Sequence, residues 1–195
     1  DFSRSRGLGD VYKRQVVTEY SSTTSRAVIQ HDLTADSNIY ASLSEGFKAG
    51  GYATYECTEP YDPEEVTSLE FGFKGSLGDN TSLNASLFRY DYTDFQVLQV
   101  VGIQTVTRNA GDATVNGLEL EALTNVSDSL TLNYGVTLLD ATYGEFLNTN
   151  GLEPQLGEQQ LEGNYLSNAP KVSVNFGLNY TSILSSGSSL TYRAN

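Results

Sequence analysis

Four charged residues lie in stretches of the sequence that alternate between apolar and polar side chains. Glu70 and Lys74 belong to one such stretch, and Glu119 and Glu121 belong to another. Side chains two or four residues apart in an extended strand point to the same side, so each pair shares a face. Charged groups on one face can form cross-strand ion pairs or bind a polar partner. A plain hydrated surface is the alternative, and the spacing does not decide between them.

Three tyrosines, Tyr52, Tyr55 and Tyr61, lie in the stretch AGGYATYECTEPYDPEE, residues 49–65. This stretch has no periodicity, and it contains a glycine pair and two of the four prolines, so we predict a loop. Aromatic rings on a loop can stack on a bound ligand, which makes these tyrosines the candidate ligand contacts. Surface tyrosines without a binding role are the alternative.

The remaining reactive groups do not form a pattern typical of an enzyme or a metal site. His31, the only histidine, precedes Asp32, but the chain contains no Gly-x-Ser-x-Gly motif. Asp62, Glu64 and Glu65 match no defined calcium loop, and a solvated acidic loop is the simpler interpretation. A single cysteine excludes an intrachain disulfide and a cysteine-based zinc site. We therefore predict no enzymatic activity, no metal and no cofactor.

The composition of the 195 residues favours an all-β chain. The sequence contains 13 Tyr, 8 Phe and 18 Gly, with neither Met nor Trp. A net charge of −13 argues against a nucleic-acid partner, because phosphate binding needs clustered Lys and Arg. No run approaches the roughly 18 apolar residues of a transmembrane helix, but membrane β-strands escape that test because only every second residue is apolar.

The clearest predicted element is a long hairpin from Val66 to Gln96. Leu69, Phe71 and Phe73 alternate with polar residues on its first arm, and the turn LGDN at residues 77–80 follows. Each arm has about ten alternating residues, roughly the length of a membrane-crossing strand. Similar alternation predicts strands at Thr24–Leu33, Asn38–Lys48, Ala113–Val126, Ser129–Phe146 and Lys171–Thr181.

The predicted connections alternate between short and long. TADS, LGDN, NVSD and LSSGS are short, VGIQ at residues 101–104 is a moderate turn, and residues 49–65 and 147–169 are long. Membrane barrels combine short periplasmic turns with longer extracellular loops. We therefore predict an antiparallel transmembrane β-barrel, partial, with about 8–9 strands of a larger barrel. A soluble β-sandwich used for binding or adhesion is the alternative.

Two local features leave alternatives open. Asn116-Gly117 could be a hairpin turn, but a continuous strand matches the length of its neighbours better. Arg89 and Asp91 have the parity of Leu87, which places charge on the apolar face. Either this part of the strand emerges from the membrane, or a bulge shifts the alternation.

Several segments together resemble the barrel domain of TonB-dependent outer-membrane receptors. Each motif is loose, but the ordered set is specific, and it covers about residues 24–195. The segments are YASLSEGFKAGGY at residues 40–52, VTSLEFGFKGSLGDN at 66–80, LNASLFRYDYTDFQV at 83–97, NAGDATVNGLELEA at 109–122 and NAPKVSVNFGLNY at 168–180.

The resemblance implies a barrel of about 22 strands, with an N-terminal plug domain inside its lumen. Such receptors lie in the bacterial outer membrane and import ferric siderophores, haem, cobalamin or saccharides with energy delivered through TonB. For this chain it implies uptake of an iron complex or a similar nutrient. Expected partners are outer-membrane lipid, the plug domain, the TonB complex and the ligand. A passive diffusion porin is the alternative.

The two ends predict an incomplete receptor. The stretch RGLGDVYKRQ has scattered charges and no apolar run, so we expect residues 1–15 to be non-native or disordered. Residues 16–195 are then part of the barrel domain, without the plug domain and the C-terminal strands. Within that barrel, Glu70, Lys74, Glu119 and Glu121 are expected to face the lumen, because charge on the lipid face is unfavourable.

Overall fold

The computed structural model describes residues 18–53, 56–101, 104–149 and 153–195. Within these ranges the chain forms fourteen β-strands, one short 3-10 helix and no α-helix. In chain order the strands are β1 (Arg26–Thr34), β2 (Ser37–Lys48), β3 (Gly51–Ala53), β4 (Glu56–Tyr61), β5 (Glu64–Leu77), β6 (Thr81–Thr93), β7 (Gln96–Val101), β8 (Gln104–Asn109), β9 (Ala113–Ser127), β10 (Leu130–Tyr143), β11 (Leu147–Thr149), β12 (Glu158–Gln160), β13 (Val172–Ile183) and β14 (Ser189–Ala194). Residues 1–15, predicted to lie outside the fold, are outside the described ranges.

Eight strands form one antiparallel sheet in the order β1-β2-β5-β6-β9-β10-β13-β14. The predicted strand number and the predicted antiparallel architecture are confirmed. These eight strands form a single open sheet, not two packed sheets, so the β-sandwich alternative is wrong. The strand through Asn116-Gly117 is continuous, which excludes a hairpin turn at that point.

The register gives the sheet two different faces. Directly opposed residues of antiparallel strands share a face, and the cross-strand pairs Phe71–Leu87 and Leu87–Leu118 are apolar. We call this side the apolar face. The residues at the alternate positions along each strand point to the opposite side, which we call the polar face. There Lys74 opposes Asn84, and Asn84 opposes Glu121.

Most of the large apolar side chains are not covered by protein. Phe71 is 52% exposed, Leu87 58%, Val174 67% and Ile29 73%, all on the apolar face. A water-soluble monomer rarely exposes so continuous an apolar surface. This face therefore needs an apolar environment outside the described chain.

The connections are segregated by length between the two ends of the sheet. Two to five residues join β1 to β2, β5 to β6, β9 to β10 and β13 to β14 at the short-turn end. The opposite end, which we call the loop end, has the connections over residues 49–63, 94–112 and 144–171. The predicted division into short and long connections is confirmed.

The loop end has more structure than we predicted. The stretch 49–65 was expected to be an irregular loop, but β3 pairs with β4 inside it, and β5 already begins at Glu64. The 147–169 stretch likewise contains the pair β11–β12 and a 3-10 turn at Pro154–Leu156. β3, β11 and β12 were not predicted because strands of three residues are too short to show alternation in the sequence.

The long hairpin also ends earlier than predicted. The second arm was expected to continue through Phe95 and Gln96, but β6 ends at Thr93 and β7 pairs only with β8. Asp94 has a φ of 53°, the left-handed conformation that Asp tolerates and that interrupts a strand. The predicted turn near residues 101–104 falls between β7 and β8, where Val101 is opposed to Gln104, and its two central residues lie outside the described ranges.

Within the described ranges, no helix is long and apolar enough to cross a membrane.

Candidate functional site

The four charged residues predicted to share one face do so. Glu70 and Lys74 lie on β5, and Glu119 and Glu121 lie on β9, with β6 between the two strands. The register places all four on the polar face. Together they line a pocket of about 220 Å³ on that face. Three carboxylates and one ammonium around a small pocket suit hydrogen-bond donors and cations.

Tyr40 is the residue of this pocket that sequence reasoning missed. It lies on β2, directly opposite Gly72 of β5. Its hydroxyl donates a hydrogen bond to a carboxylate oxygen of Glu70. The Nζ atom of Lys74 lies 5.1 Å from the centre of the same ring, within the range of a cation–π contact. Tyr40 therefore contacts both Glu70 and Lys74 of β5.

Two aromatic rings of the polar face cover glycines on neighbouring strands. A Cβ atom at Gly72 would overlap the ring of Tyr40, and one at Gly117 would overlap the ring of Phe88. Phe88 in turn stacks on Tyr90 with a centroid distance of 4.8 Å. Only glycine leaves room for a ring to lie flat against the sheet. Because the partner strand is not evident from the sequence, these pairs could not be predicted from it.

The candidate ligand-contact tyrosines belong to the loop end. Tyr52 lies on β3 opposite Pro60, and Tyr61 is the last residue of β4. Both side chains are half-buried, so each keeps part of its ring available. Tyr55 lies outside the described residues.

Glu64 fixes the base of the loop end. Its carboxylate accepts a 2.6 Å hydrogen bond from the main-chain N–H of Gln96 and lies 3.7 Å from Nζ of Lys48. The side-chain amide of Gln96 donates to the carbonyl oxygens of Ala49 and Asp62. Glu64 and Gln96 thus hold the start of the second connection against both ends of the first.

Asn109 provides a second link between the same connections. Its side-chain oxygen accepts a 2.7 Å hydrogen bond from the main-chain N–H of Asp62. Its side-chain nitrogen donates to the carbonyl oxygen of Asp62 at 3.0 Å and to that of Asp94 at 2.7 Å. A single amide therefore joins the β3–β4 hairpin to the β7–β8 hairpin.

A chain of aromatic contacts extends along the loop end to the third connection. Tyr92 meets Phe95 edge-on at 5.2 Å, Phe95 meets Tyr143 at 6.4 Å, and Tyr143 meets Phe146 at 5.3 Å. Phe146 is only 8% exposed. These rings form a small apolar cluster that joins the ends of two wall strands to the loop end.

The groups weighed as alternative chemistry do not converge. His31 lies on the apolar face opposite Ile39, and adjacent strand positions point Asp32 the other way. Glu64 and Glu65 point to opposite sides of β5 for the same reason. Within the described ranges, no group of three or more His, Cys, Asp or Glu side chains is placed to hold a metal ion.

The two-faced sheet with segregated turn lengths defines the class of protein: it is part of the wall of a transmembrane β-barrel. Arg89 and Asp91 fit this wall without a bulge, because the register of β6 with β5 and β9 is continuous past both residues. The bulge alternative is therefore wrong.

The chain belongs to the TonB-dependent receptor family, as a part of the β-barrel. Residues 1–195 match the family described as TonB dependent receptor-like, beta-barrel. Among curated proteins, the chain is 32% identical over 124 residues to the probable TonB-dependent siderophore receptor PiuA of Acinetobacter baumannii, covering 61% of this chain and 16% of that protein. It is 34% identical over 95 residues to the pesticin receptor of Yersinia enterocolitica, covering 46% of this chain and 14% of that protein.

Solved structures show the same fold. The ferric yersiniabactin uptake receptor FyuA from Yersinia pestis aligns with a TM-score of 0.67 at 20% identity, over 86% of this chain and 24% of that one. The siderophore receptor PiuA from Acinetobacter baumannii aligns with a TM-score of 0.59 at 22% identity, over 80% of this chain and 23% of that one. The chain thus spans about a quarter of each of these structures.

Proposed function

We propose that this chain is part of the barrel of a bacterial outer-membrane receptor that imports an iron complex, a siderophore or haem, with energy delivered through TonB. The observation behind this proposal is the family assignment over the whole chain. The names of the curated relatives support the cargo class, because one is called a siderophore receptor. The chain spans 16% of that relative. In this proposal a plug domain and the TonB contact are supplied by other parts of a longer protein.

In this proposal the two faces of the sheet have different surroundings. The apolar face contacts outer-membrane lipid, and the polar face lines the lumen. Glu70, Lys74, Glu119 and Glu121 then meet water or the plug domain, where the three carboxylates suit basic and hydrogen-bond-donating side chains and the ammonium of Lys74 suits acceptors. The function is transport by binding and conformational change, without a chemical step catalysed by these residues.

The loop end is extracellular in this proposal, and the short-turn end is periplasmic. Tyr52, Tyr55 and Tyr61 are then candidate contacts for the incoming iron complex, by stacking of their rings. The hydrogen bonds of Glu64 and Asn109 support this role, because they hold the bases of the loops in fixed relative positions.

Uptake in cells tests the function. The full-length receptor would be expressed in a bacterial strain that lacks its own ferric siderophore and haem receptors, and uptake of a panel of radiolabelled iron complexes would be measured. We expect uptake of at least one complex, and its loss when TonB is deleted. Uptake that persists without TonB would instead indicate the passive porin. Absence of iron uptake, with uptake of another nutrient, would refute the cargo class.

Spin labels test the assignment of the faces independently of the cargo. Labels at Phe73 and Val174 of the full-length receptor in lipid vesicles should contact lipid. Labels at the neighbouring positions Lys74 and Ser173, which point to the polar face, should not. The reverse pattern would refute the proposed orientation of the wall.

A further inference from the structure

Two hairpins of the loop end lie side by side. We call β3–β4 the first hairpin and β7–β8 the second hairpin. In the described part of the chain they form separate two-stranded sheets, so strand pairing does not join them. β8 nevertheless lies against both strands of the first hairpin. An isolated two-stranded hairpin is at best marginally stable in water, so each hairpin gains stability from its neighbour.

The base of the second hairpin holds both ends of the first. Gln96 and Asn109 are directly opposed at this base. The side-chain amide of Gln96 donates a hydrogen bond at 3.1 Å to the carbonyl oxygen of Ala49, just before the first hairpin. The same amide donates at 3.0 Å to the carbonyl oxygen of Asp62, just after that hairpin. Gln96 can reach Ala49 and Asp62 together only while the first hairpin is closed, because its closure brings them together.

Asn109 makes the dependence reciprocal. Its side chain accepts a hydrogen bond from the main-chain N–H of Asp62 at 2.7 Å and donates to the carbonyl oxygen of Asp62 at 3.0 Å. Gln96 and Asn109 can bind Asp62 at the same time only while they remain opposed, which requires the second hairpin to be closed. Opening either hairpin therefore breaks hydrogen bonds that stabilise the other.

The third connection is attached to the wall in a different way. Its returning segment forms main-chain hydrogen bonds with β10. The N–H of Gly163 donates to the carbonyl oxygen of Tyr143, and the N–H of Leu166 donates to that of Ala141, both at 2.9 Å. Contacts of this kind also join the strands of the wall. Residues 163–166 are therefore anchored to the wall by bonds that involve neither hairpin.

We propose that the first and second hairpins are one cooperative unit, which opens and closes as a whole while residues 163–166 and the wall stay paired. The side-chain amides of Gln96 and Asn109 couple its two halves. If Tyr52 and Tyr61 contact the iron complex, as proposed above, a ligand that holds the first hairpin closed also holds the second closed without touching it. That consequence depends on the proposed function, whereas the coupling of the hairpins does not.

The coupling is tested by a substitution inside the first hairpin. A Cβ atom at Gly51 would lie 2.8 Å from the hydroxyl oxygen of Tyr61, and the nearest atoms around it all belong to that ring. Gly51→Val should therefore destabilise the first hairpin without touching the second. Hydrogen exchange would be measured by mass spectrometry in the full-length receptor in lipid vesicles. We expect exchange to accelerate by the same factor in residues 56–61 and 104–109, and to stay unchanged in residues 163–166.

Removing the two amides tests what carries the coupling. Gln96→Ala together with Asn109→Ala should accelerate exchange in both hairpins about tenfold, because each loses the support of the other. When Gly51→Val is added to these two substitutions, its further effect should be confined to the first hairpin. Gly157→Ala is the control in the third connection. Gly157 has a φ of 68° with open space around it, so this substitution should leave exchange in both hairpins unchanged.

The other outcomes contradict the proposal. Acceleration of residues 56–61 alone in Gly51→Val would show that the hairpins open independently. Equal acceleration of residues 163–166 would show that the unit is not separate from the wall. If Gly51→Val alters neither hairpin, the variant without the two amides decides, and acceleration in only one hairpin, or in none, would overturn the coupling. An effect of Gly51→Val on residues 104–109 that persists without the amides would overturn their assigned role.

Discussion

In the eight-stranded wall, neighbouring strands are joined by main-chain pairing over as many as fourteen opposed residues, as between β9 and β10. At the loop end, the three hairpins pair only internally, and a few individual contacts join their connections to one another: several side chains and a main-chain hydrogen bond from the N–H of Gly144 to the carbonyl oxygen of Asp112. Glu64, Asn109 and the rings of Phe95 and Tyr143 form these joints. The same chain therefore uses repeated contacts in one region and a few individual contacts in the other.

This difference predicts how each region should respond to substitution. In the wall, the face on which a side chain lies decides the effect, because the strand pairing itself does not depend on any one side chain. At the loop end, the identity of particular residues decides, because no repeated pairing replaces a lost contact. The following substitutions in the full-length receptor test this contrast.

The largest effect is expected where the wall receives a charge on its apolar face. Leu120 and Glu121 are neighbours on β9 and point to opposite sides. Leu120→Arg should reduce the free energy of unfolding by about 2–4 kcal/mol, as charge does near the middle of the lipid face, whereas Glu121→Arg should change it little. Denaturant unfolding in lipid vesicles measures both. Equal destabilisation by the two variants would contradict the assignment of faces.

A smaller effect is expected from a matched pair of glycines in left-handed conformations. Gly78 has a φ of 64° at the short-turn end with open space around it, and Gly111 has a φ of 73° at the loop end. A Cβ atom at Gly111 would overlap the main-chain oxygen of Glu145. Gly78→Ala should cost about 1–2 kcal/mol for the conformation alone, and Gly111→Ala should cost more.

Hydrogen exchange shows which part of the chain is destabilised by each of the two glycine substitutions. The Gly111→Ala variant should lose amide protection in residues 94–112 and 144–149, with the wall strands unchanged. If Gly78→Ala costs as much as Gly111→Ala, close packing between the loop connections is not what makes Gly111 necessary.

Asn109 tests the joint between two hairpins. Asn109→Ala removes one acceptor and two donor contacts, to Asp62 and Asp94. Because the site is partly accessible to water, we expect a local loss of about 1–2 kcal/mol, seen as faster proteolysis of residues 94–112. Asn84→Ala, on the polar face of the wall, is the control and should leave that cleavage rate unchanged. Faster cleavage in both variants would show that the wall and loop end are not independent.

The sequence predicted the wall well because strand alternation is a local property. Leu69, Phe71 and Phe73 alternate with polar residues, and this alternation alone indicates the strand and the face on which each side chain lies. The partner strand does not need to be known. The same alternation predicted that Arg89 lies on the apolar face, two residues after Leu87, and the structure confirms this position.

The joints of the loop end could not be predicted because they connect residues far apart in the sequence. Glu64 and Gln96 are 32 positions apart, and Asp62 and Asn109 are 47 apart. No period links such positions. Tyr40 was missed for a related reason, since its role depends on the cross-strand pair with Gly72, and the sequence shows the two residues without showing that they are opposed.

The smallest effect is expected for substitutions of Tyr40. They test whether the wall also depends on an individual side-chain contact, as the loop end does. Tyr40→Phe keeps the ring over Gly72 and below Lys74 but removes the hydrogen bond to Glu70, so stability should fall by only about 0.5–1 kcal/mol. Tyr40→Leu removes the ring as well and should cost more, because the main chain at Gly72 loses its cover. Tyr90→Phe is the control, since its stacking on Phe88 does not need the hydroxyl. If Tyr40→Phe is as destabilising as Tyr40→Leu, the hydroxyl is the essential group, and the polar face then depends on an individual contact as the loop end does.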